Sequence, residues 1–309
     1  MTEFSIGGAA GAGFRLIREK PLTVLAWGLL YVLIAVAPSM LLMATFFPVM
    51  ADLSSGGGAS TLGALTAMNS LQPITWLASV VANAVLFCAI YRAVLRPQDD
   101  RRFYIRFGAA ELWQGLLQFI VMLAAGALVL VAMIPLLIVG AGAYFVLAKG
   151  AAGGAGWGMA IVGFFIAIAL LGVLWWLALR FSLAGPMTFA DGQLRLMESW
   201  RLTRGHGWRL FGLSLLIVAM LMLLYLVLAL VLGLVLGLGA GALFASLGSG
   251  RLEDLFSSGL SPAVIAVAGL MGLALGSVIY GPVMAVTVAP WAEAYRQLSG
   301  REVDAETFA

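Results

Sequence analysis

Long apolar stretches separated by short polar segments are the main pattern along this chain. Six stretches carry at most one charged residue each, and they comprise residues 22–47, 73–95, 112–147, 157–184, 210–247 and 262–291. A helix that crosses a hydrocarbon core of about 30 Å needs about 20 apolar residues, so each stretch is long enough for one crossing. The pattern therefore predicts an all-α integral membrane protein with six transmembrane helices, folded as one polytopic domain over residues 1–309.

The composition excludes an ordinary soluble domain. Hydrophobic residues make up 63% of the chain and charged residues 10%, and the mean hydropathy is +1.07. Soluble domains contain about 45–50% apolar and about 25% charged residues. The net charge is +3, but Lys and Arg collect at the cytoplasmic ends of transmembrane helices. No basic stripe stands clear of the apolar stretches, so no nucleic-acid partner is predicted.

The distribution of basic residues predicts the orientation. With six spans, residues 48–72, 148–156 and 248–261 lie on one side of the membrane. They contain only Lys149 and Arg251 of the 17 Lys and Arg residues. The positive-inside rule places the basic side in the cytoplasm. We therefore expect a multi-pass protein of a bacterial inner (cytoplasmic) membrane, with both the N-terminus and the C-terminus cytoplasmic.

A short motif recurs before the spans. An aromatic residue followed by Arg-Leu-x-Arg occupies residues 14–18 and 200–204, and residues 103–107 form a looser version. The second, fourth and sixth spans also end alike, in Tyr91-Arg92, Leu179-Arg180 and Tyr295-Arg296. We therefore predict three hairpins, each preceded by a cytoplasmic interfacial helix. The repeat units would comprise residues 5–96, 101–184 and 191–297.

Basic residues of the predicted interfacial helices are candidates for contact with lipid head groups. On a helical wheel Ala10, Gly13, Phe14 and Ile17 share one face, as a helix lying in the membrane plane requires. Each basic residue near an anionic surface contributes about 1 kcal/mol to binding. An alternative is that these residues only set topology and anchor the helices. The candidates are Arg15, Arg18, Arg106, Arg195, Arg201 and Arg204.

Few residues are suited to chemistry. His206 is the single histidine, and it lies between two glycines at the edge of a span, so a loop or capping role is the simpler interpretation. No catalytic residue, metal ligand or cofactor site is predicted. Polar residues inside spans are functional candidates because burying them in lipid is costly. They are Asn83, Gln118, Arg180, Tyr225 and Tyr280, and we expect Arg180 to reach the head groups or to pair with Glu293 or Glu111.

Glycines recur every four residues on the last two spans. Small residues at this spacing let helix backbones approach closely. We expect these glycines to pack the last two helices tightly against each other, or else against the helices of a partner. They are Gly233, Gly237 and Gly241 on the fifth span, and Gly272 and Gly276 on the sixth.

The segment 180–211 resembles a motif of uncharacterised bacterial inner-membrane proteins. In that group a span ends in Arg, a Pro follows, and a short helix with the pattern S-W-x-L-T-x-G precedes the next span. The same motif is found in the membrane domain that precedes the catalytic domain of some glycerophosphodiester phosphodiesterases, and residues 101–113 are similar to a segment of alphaproteobacterial members. The corresponding residues here are Arg180, Pro186, Ser199, Trp200, Leu202, Thr203 and Gly205.

The resemblance implies a helical membrane fold and no activity. In the fused proteins the phosphodiesterase chemistry belongs to a soluble metal-binding barrel rich in Glu, Asp and His, which this sequence does not contain. The membrane domain brings no established mechanism with it.

Three classes of function remain open. The favoured one is a non-enzymatic accessory, scaffold or regulatory membrane module, and we do not expect an enzyme. A transporter or binding protein for lipids or small molecules is the alternative, and a lumen lined by polar residues such as Asn83 and Tyr280 would favour it. A membrane-embedded enzyme would need Arg180, His206, Glu198 or Glu293 to meet in one pocket. The expected partners are membrane lipids with anionic head groups, and another membrane protein or a second copy of the chain.

Overall fold

The helical membrane fold predicted from the sequence is present in a computed structural model, which describes residues 4–38, 58–99, 101–148, 154–246 and 262–299. Within these ranges there is no strand. Five helices are long and apolar enough to cross a membrane, and the number becomes six if the bent N-terminal pair counts as one span. Helices suit these sequences because lipid offers no hydrogen-bond partner to the backbone, so each backbone group must be satisfied inside its own helix.

Ten α-helices are found in the described part of the chain. A π-helical turn at Val32–Val36 continues the third helix. In chain order they are α1 (Ile6–Ala10), α2 (Ala12–Glu19), α3 (Pro21–Tyr31), α4 (Gly58–Leu95), α5 (Ala109–Ala148), α6 (Gly154–Phe181), α7 (Ala184–Asp191), α8 (Leu196–Leu202), α9 (Gly207–Ser246) and α10 (Pro262–Ser299).

The helix bounds agree with the predicted spans at most positions. The apolar part of α4, Gln72–Leu95, matches the second predicted span, although the helix already begins at Gly58 and runs through Pro73. Helix α5 continues through Pro135. The first predicted span extends to residue 47, and its part beyond residue 38 lies outside the described residues.

The chain turns sharply between the first interfacial helix and the first span. The segment Ile6–Glu19 lies at 97° to the segment Pro21–Val36. Pro21 is the first residue of α3, where its missing N–H costs nothing, and it disfavours helical backbone at Lys20. The sequence Lys20-Pro21 therefore ends one helix and starts the next in a new direction.

Helix α10 is the centre of the packed part of the molecule, where it contacts α1, α2, α3, α4 and α9. Its closest approach is to α3, where Gly28 and Gly281 bring the two backbones together. A Cβ atom on Gly28 would lie 2.1 Å from the Ser277 carbonyl oxygen, and one on Gly281 would lie 2.2 Å from the Val24 carbonyl oxygen. The two glycines thus allow a contact that no larger residue permits.

Among the described residues, the predicted glycines do not join the last two spans to each other, and the alternative, contact with a partner's helices, stays a prediction. Gly276 does pack internally, since a Cβ atom there would lie 2.6 Å from Val32, but Gly272 has no described neighbour within 4 Å of its Cβ position. The same holds for Gly233 and Gly237. The surroundings of Gly241 lie outside the described residues. In the described part of the chain the buried apolar residues of α9 lie near its start, at Leu210, Leu213 and Ile217, and Gly233 and Gly237 lie well beyond them.

The predicted interfacial helix before the third span is also replaced. A four-residue 3-10 turn, Arg101–Tyr104, stands there instead. Tyr104 is fully buried, and its hydroxyl donates a hydrogen bond to the Pro97 carbonyl oxygen over 3.0 Å. Because this side chain is anchored in the core, the segment forms a tight turn rather than an amphipathic helix.

The first interfacial helix pair is present, but its small-residue face packs on protein. Ala9, Ala10 and Ala12 are buried, and a Cβ atom on Gly13 would lie 2.6 Å from the Cα of Val286 in α10. Phe14 is 39% exposed and is therefore the member of the predicted apolar face that remains available to lipid.

Burial is uneven among the long helices. The part of each long helix that is apolar enough to cross a membrane is called its apolar window here. The share of this window that is buried inside the chain is 50% for α4 and 28% for α10. For α5 and α6 the figure is 0%, and for α9 it is 6%. The molecule therefore consists of a packed part around α3, α4 and α10, and of three long helices whose sides face outward.

Candidate functional site

A buried ion pair joins the end of α4 to the start of α5. Arg92 Nη2 lies 2.7 Å from Glu111 Oε1, and each side chain is 7% exposed. Arg92 Nη1 also donates to the carbonyl oxygen of Tyr104, and its guanidinium lies 5.4 Å from the ring centre of Phe189. Glu111 is in the first turn of α5, where the helix dipole favours a carboxylate. These contacts occupy both ends of the Arg92 guanidinium.

The short helix α7 fills the space beside this pair. All residues from Ala184 to Ala190 are buried. Gly185 is needed at this position because a Cβ atom there would lie 2.4 Å from the Tyr91 hydroxyl oxygen. Gln114 Oε1 on α5 and Thr188 Oγ1 on α7 are buried, and neither has a hydrogen-bond partner among the described residues. The sequence interpretation named Glu111 only as a possible partner of Arg180 and missed Gln114 and Thr188, and the only signal for these residues is that they lie near the ends of apolar stretches.

A second carboxylate ties the N-terminal helices to α10. Glu293 is 3% exposed, and its oxygens lie 3.4 Å from Arg15 Nη2 and 2.7 Å from Arg296 Nη2. Gln297 donates a further bond to Glu293 over 3.0 Å and accepts one from the backbone N–H of Ser5. Glu293 is therefore a structural anchor that holds α1 and α2 against α10.

Arg180, at the end of α6, has a different environment. Its guanidinium lies 5.1 Å from the ring centre of Trp176 and 5.4 Å from that of Trp200. Its carbonyl oxygen accepts a bond from Ser199 Oγ over 2.9 Å. Nη1 of Arg180 is buried and has no hydrogen-bond partner. The predicted pairing with Glu293 or Glu111 is wrong, because other arginines already hold both carboxylates.

The six head-group candidates divide into two sets. Arg15 pairs with Glu293, Arg106 pairs with Asp99, and Arg195 pairs with Asp191 and Glu198. The hydrogen bond to Glu198 raises the pKa of Arg195. Within the described part of the chain the other three form no ion pair and are exposed, namely Arg18, Arg201 and Arg204.

Two elongated grooves open between neighbouring long helices. The α4–α5 groove has a volume of about 640 Å³ and is lined by apolar residues such as Trp76, Val80 and Phe119, with Glu111 at one end. The α6–α9 groove has a volume of about 560 Å³ and is lined by residues such as Gly172, Trp175, Trp208 and Phe211, with Arg180 at one end. Both volumes are within the range of about 300–1,000 Å³ that is usual for small-molecule sites.

Three of the predicted intramembrane polar residues converge on Tyr31. Asn83, Tyr225 and Tyr280 lie close enough to Tyr31 to interact with it electrostatically, while Asn83 Nδ2 donates a hydrogen bond to the Ser79 carbonyl oxygen over 2.9 Å. The rings of Tyr31 and Tyr280 are 5.1 Å apart. Gln118 is elsewhere, with a buried Nε2 that lacks a hydrogen-bond partner. The two grooves described above are lined by other residues.

Of the residues that a membrane enzyme would need, Arg180 lines the α6–α9 groove and Glu198 lines a different cavity. Glu293 and Glu198 are held by separate arginines. Nδ1 of His206 is buried without a hydrogen-bond partner. Among the residues that the structure describes, no group of three or more His, Cys, Asp or Glu is placed to hold a metal ion.

Comparisons of the chain with models of protein families, with curated proteins and with solved structures found no match. The resemblance to the membrane domain of glycerophosphodiester phosphodiesterases therefore remains a prediction from the residues of segment 180–211. What the fold supports without it is a helical membrane protein with a packed core and outward-facing apolar helices.

Proposed function

We propose that this protein is a non-enzymatic membrane module that acts as an accessory, scaffold or regulatory subunit. In this proposal six spans form three hairpins in a bacterial inner membrane, with both termini in the cytoplasm. The packed part around α3, α4 and α10 is a rigid platform. Helices α5, α6 and α9 present their sides to another membrane protein or to a second copy of the chain.

The uneven burial of the long helices carries this proposal. The apolar windows of α5 and α6 are 0% buried within the chain and that of α9 is 6% buried. The glycines on their open sides, such as Gly126, Gly140, Gly233 and Gly237, have no described neighbour within 4 Å of the Cβ position. Such surfaces suit a partner helix because small residues permit close backbone contact, which drives association in lipid.

The test is mass spectrometry of the protein extracted gently with its surrounding lipid at native abundance. We expect stoichiometric recovery of a second membrane protein or of a second copy. The double variant Gly233→Leu/Gly237→Leu should reduce this recovery by at least about tenfold, since a bulky residue blocks close helix contact. Its own fold should be unaffected, because no described residue lies within 4 Å of either Cβ position.

The matched control for this variant is Gly7→Leu. Gly7 also has no described neighbour within 4 Å of its Cβ position, but it lies on α1, outside the long helices. It should leave recovery of the partner unchanged. Recovery of the wild-type chain alone, as a monomer, would contradict the accessory role.

The proposed orientation has a separate test. In a Cys88→Ala background, Ser55→Cys should react with a membrane-impermeant maleimide in intact spheroplasts, because residue 55 belongs to a predicted outer loop. Ser5→Cys should react only after the membrane is opened. The reverse order of labelling would show that the termini are outside.

A second candidate function is transport of a lipid or small molecule, and the cluster around Tyr31 favours it. Asn83→Cys in the Cys88→Ala background distinguishes the two functions, since a maleimide in water labels only a wetted thiol. Leu130→Cys is the control, because Leu130 is 72% exposed on α5, lines neither groove and should face lipid. Labelling of Asn83→Cys but not of Leu130→Cys would indicate a water-filled lumen, whereas labelling of neither would support the scaffold role.

A further inference from the structure

The α6–α9 groove combines an apolar wall with a cationic end. Trp175 and Phe211 stack across it with ring centres 5.6 Å apart, and Trp208 lies 6.0 Å from Phe211. Trp175 Nε1 donates to Ser214 Oγ over 3.2 Å, which joins α6 to α9. Aromatic residues with an N–H group concentrate at the boundary between hydrocarbon and head groups. The groove therefore has the polarity of that boundary along its length.

In the described part of the chain, the cationic end of the groove has no counter-ion. Arg180 lines the groove, and no described acidic residue does. Its guanidinium lies beside the rings of Trp176 and Trp200, which also contact each other, and its Nη1 has no hydrogen-bond partner among the described residues. A buried guanidinium donor left unsatisfied is costly, and the planar fork matches a phosphate or carboxylate group. The site is therefore complementary to an anion.

Neighbouring residues add to the same positive field. Helix α9 begins at Gly207, and Gly205 and Gly207 both line the groove. The first backbone N–H groups of a helix have no partner within the helix and favour anions. Arg204 and Arg209 flank this helix start in the sequence, are exposed, and form no ion pair within the described part of the chain.

We propose that the α6–α9 groove binds an anionic phospholipid, with its phosphate at Arg180 and the start of α9 and an acyl chain along Trp175 and Phe211. A soluble anion would use only the cationic end and would leave the apolar wall unfilled. A zwitterionic lipid would bring its own cation to a site that already holds an unpaired guanidinium. The phospholipid with net negative charge satisfies both ends of the groove.

The test uses the purified full chain in micelles that contain equimolar phosphatidylglycerol and phosphatidylcholine, with native mass spectrometry to count the retained lipid. We expect one phosphatidylglycerol per chain to be retained in preference to phosphatidylcholine. Arg180→Gln should lower that retention by at least about tenfold, since the loss of a hydrogen bond to a charged group changes a binding constant by more than this factor. Arg296→Gln is the matched control, because this arginine also ends a span but is paired with Glu293.

A second variant tests the groove without changing Arg180. Gly172→Leu fills the apolar wall without clashing, because nothing lies within 4 Å of its Cβ position. It should also lower retention of phosphatidylglycerol, while the charge of the site is unchanged. Equal retention of both lipids by the wild type, or unchanged retention in both variants, would overturn the proposal. Loss in Arg180→Gln alone, with phosphatidylglycerol displaced by inorganic phosphate, would also overturn it in favour of a soluble anion.

Discussion

Arg92 and Arg180 both lie in the last turn of a long helix, α4 and α6 respectively, yet their surroundings are opposite. Arg92 is buried against Glu111, the Tyr104 carbonyl and the Phe189 ring. Arg180 has two tryptophan rings and a buried Nη1 without a partner. One arginine is part of the packing, and the other retains capacity to bind.

The difference follows from the helix that comes next. After α4 the chain makes a tight turn and enters α5 with Glu111 in its first turn, so a carboxylate arrives beside Arg92. After α6 the chain instead forms α7 and α8, which bring Trp200 and Ser199 to Arg180. Similar span ends therefore acquire a structural or a binding role according to the connecting segment.

The largest expected effect is on the buried Arg92–Glu111 pair. Glu111→Ala leaves Arg92 charged and buried without its partner, which should lower the free energy of unfolding by about 3–5 kcal/mol. Reversible unfolding in mixed micelles measures it. Glu198→Ala is the control, because its side chain is 42% exposed and such pairs contribute about 0–1 kcal/mol. Equal losses for the two variants would contradict a structural role for the Arg92–Glu111 pair.

The double variant Arg92→Met/Glu111→Leu sharpens the same point. Replacing both partners by apolar residues of similar size removes the buried charge, and such replacements are often neutral or stabilising. Unfolding in the same micelles should show the double variant to be more stable than Glu111→Ala. A double variant as unstable as the single one would place the loss in packing rather than in charge.

A smaller effect should separate the packed part from the open helices. Gly28→Ala places a methyl group 2.1 Å from the Ser277 carbonyl oxygen, and such overpacking costs about 1–3 kcal/mol. Gly172→Ala meets nothing within 4 Å and should change stability by less than about 1 kcal/mol, in the direction of greater helix propensity. Thermal unfolding of both variants measures the difference, and similar melting temperatures would show that α3 and α10 do not depend on the glycine contact.

The smallest expected effect is at Arg180. Arg180→Gln in lipid-free micelles loses its stacking on two tryptophan rings, which is worth about 0.5–1 kcal/mol at sites near solvent. Arg92→Gln in the same micelles should cost several times more, because it strands Glu111. Unfolding of the two variants in parallel provides the comparison. A loss for Arg180→Gln as large as that for Arg92→Gln would mean that Arg180 is structural and not free to bind.

Much of the helical architecture could be predicted because it depends on local composition. The helix ends at Leu95 and Phe181 lie close to the predicted ends at residues 95 and 184 because charge appears there, whereas α10 continues past the predicted end at residue 291 to Ser299. The turn at Lys20-Pro21 follows from the restrictions of proline. The binding candidates were predicted in part, since Arg180 was identified because an ionisable residue at a span end is conspicuous.

Contacts between distant residues were not predictable in the same way. The pairing of Arg15 with Glu293 joins residues 278 positions apart, and no periodicity reports it. Gly13, Gly28, Gly276 and Gly281 pack inside the described part of the chain, whereas the regularly spaced Gly233 and Gly237 have no described neighbour within 4 Å of the Cβ position. A spacing of four shows that a helix has a small-residue face, but it does not show which helix lies opposite.

The sequence by itself determined that long apolar helices form, and approximately where they begin and end, because a backbone in lipid must satisfy its own hydrogen bonds within each segment. Only the tertiary structure decided which of the span-end arginines receives a carboxylate. That outcome depends on how α5, α7 and α10 pack against α4, and packing is set by the shapes of surfaces far apart in the chain. The unpaired guanidinium of Arg180, and with it the proposed lipid site, is a consequence of that packing.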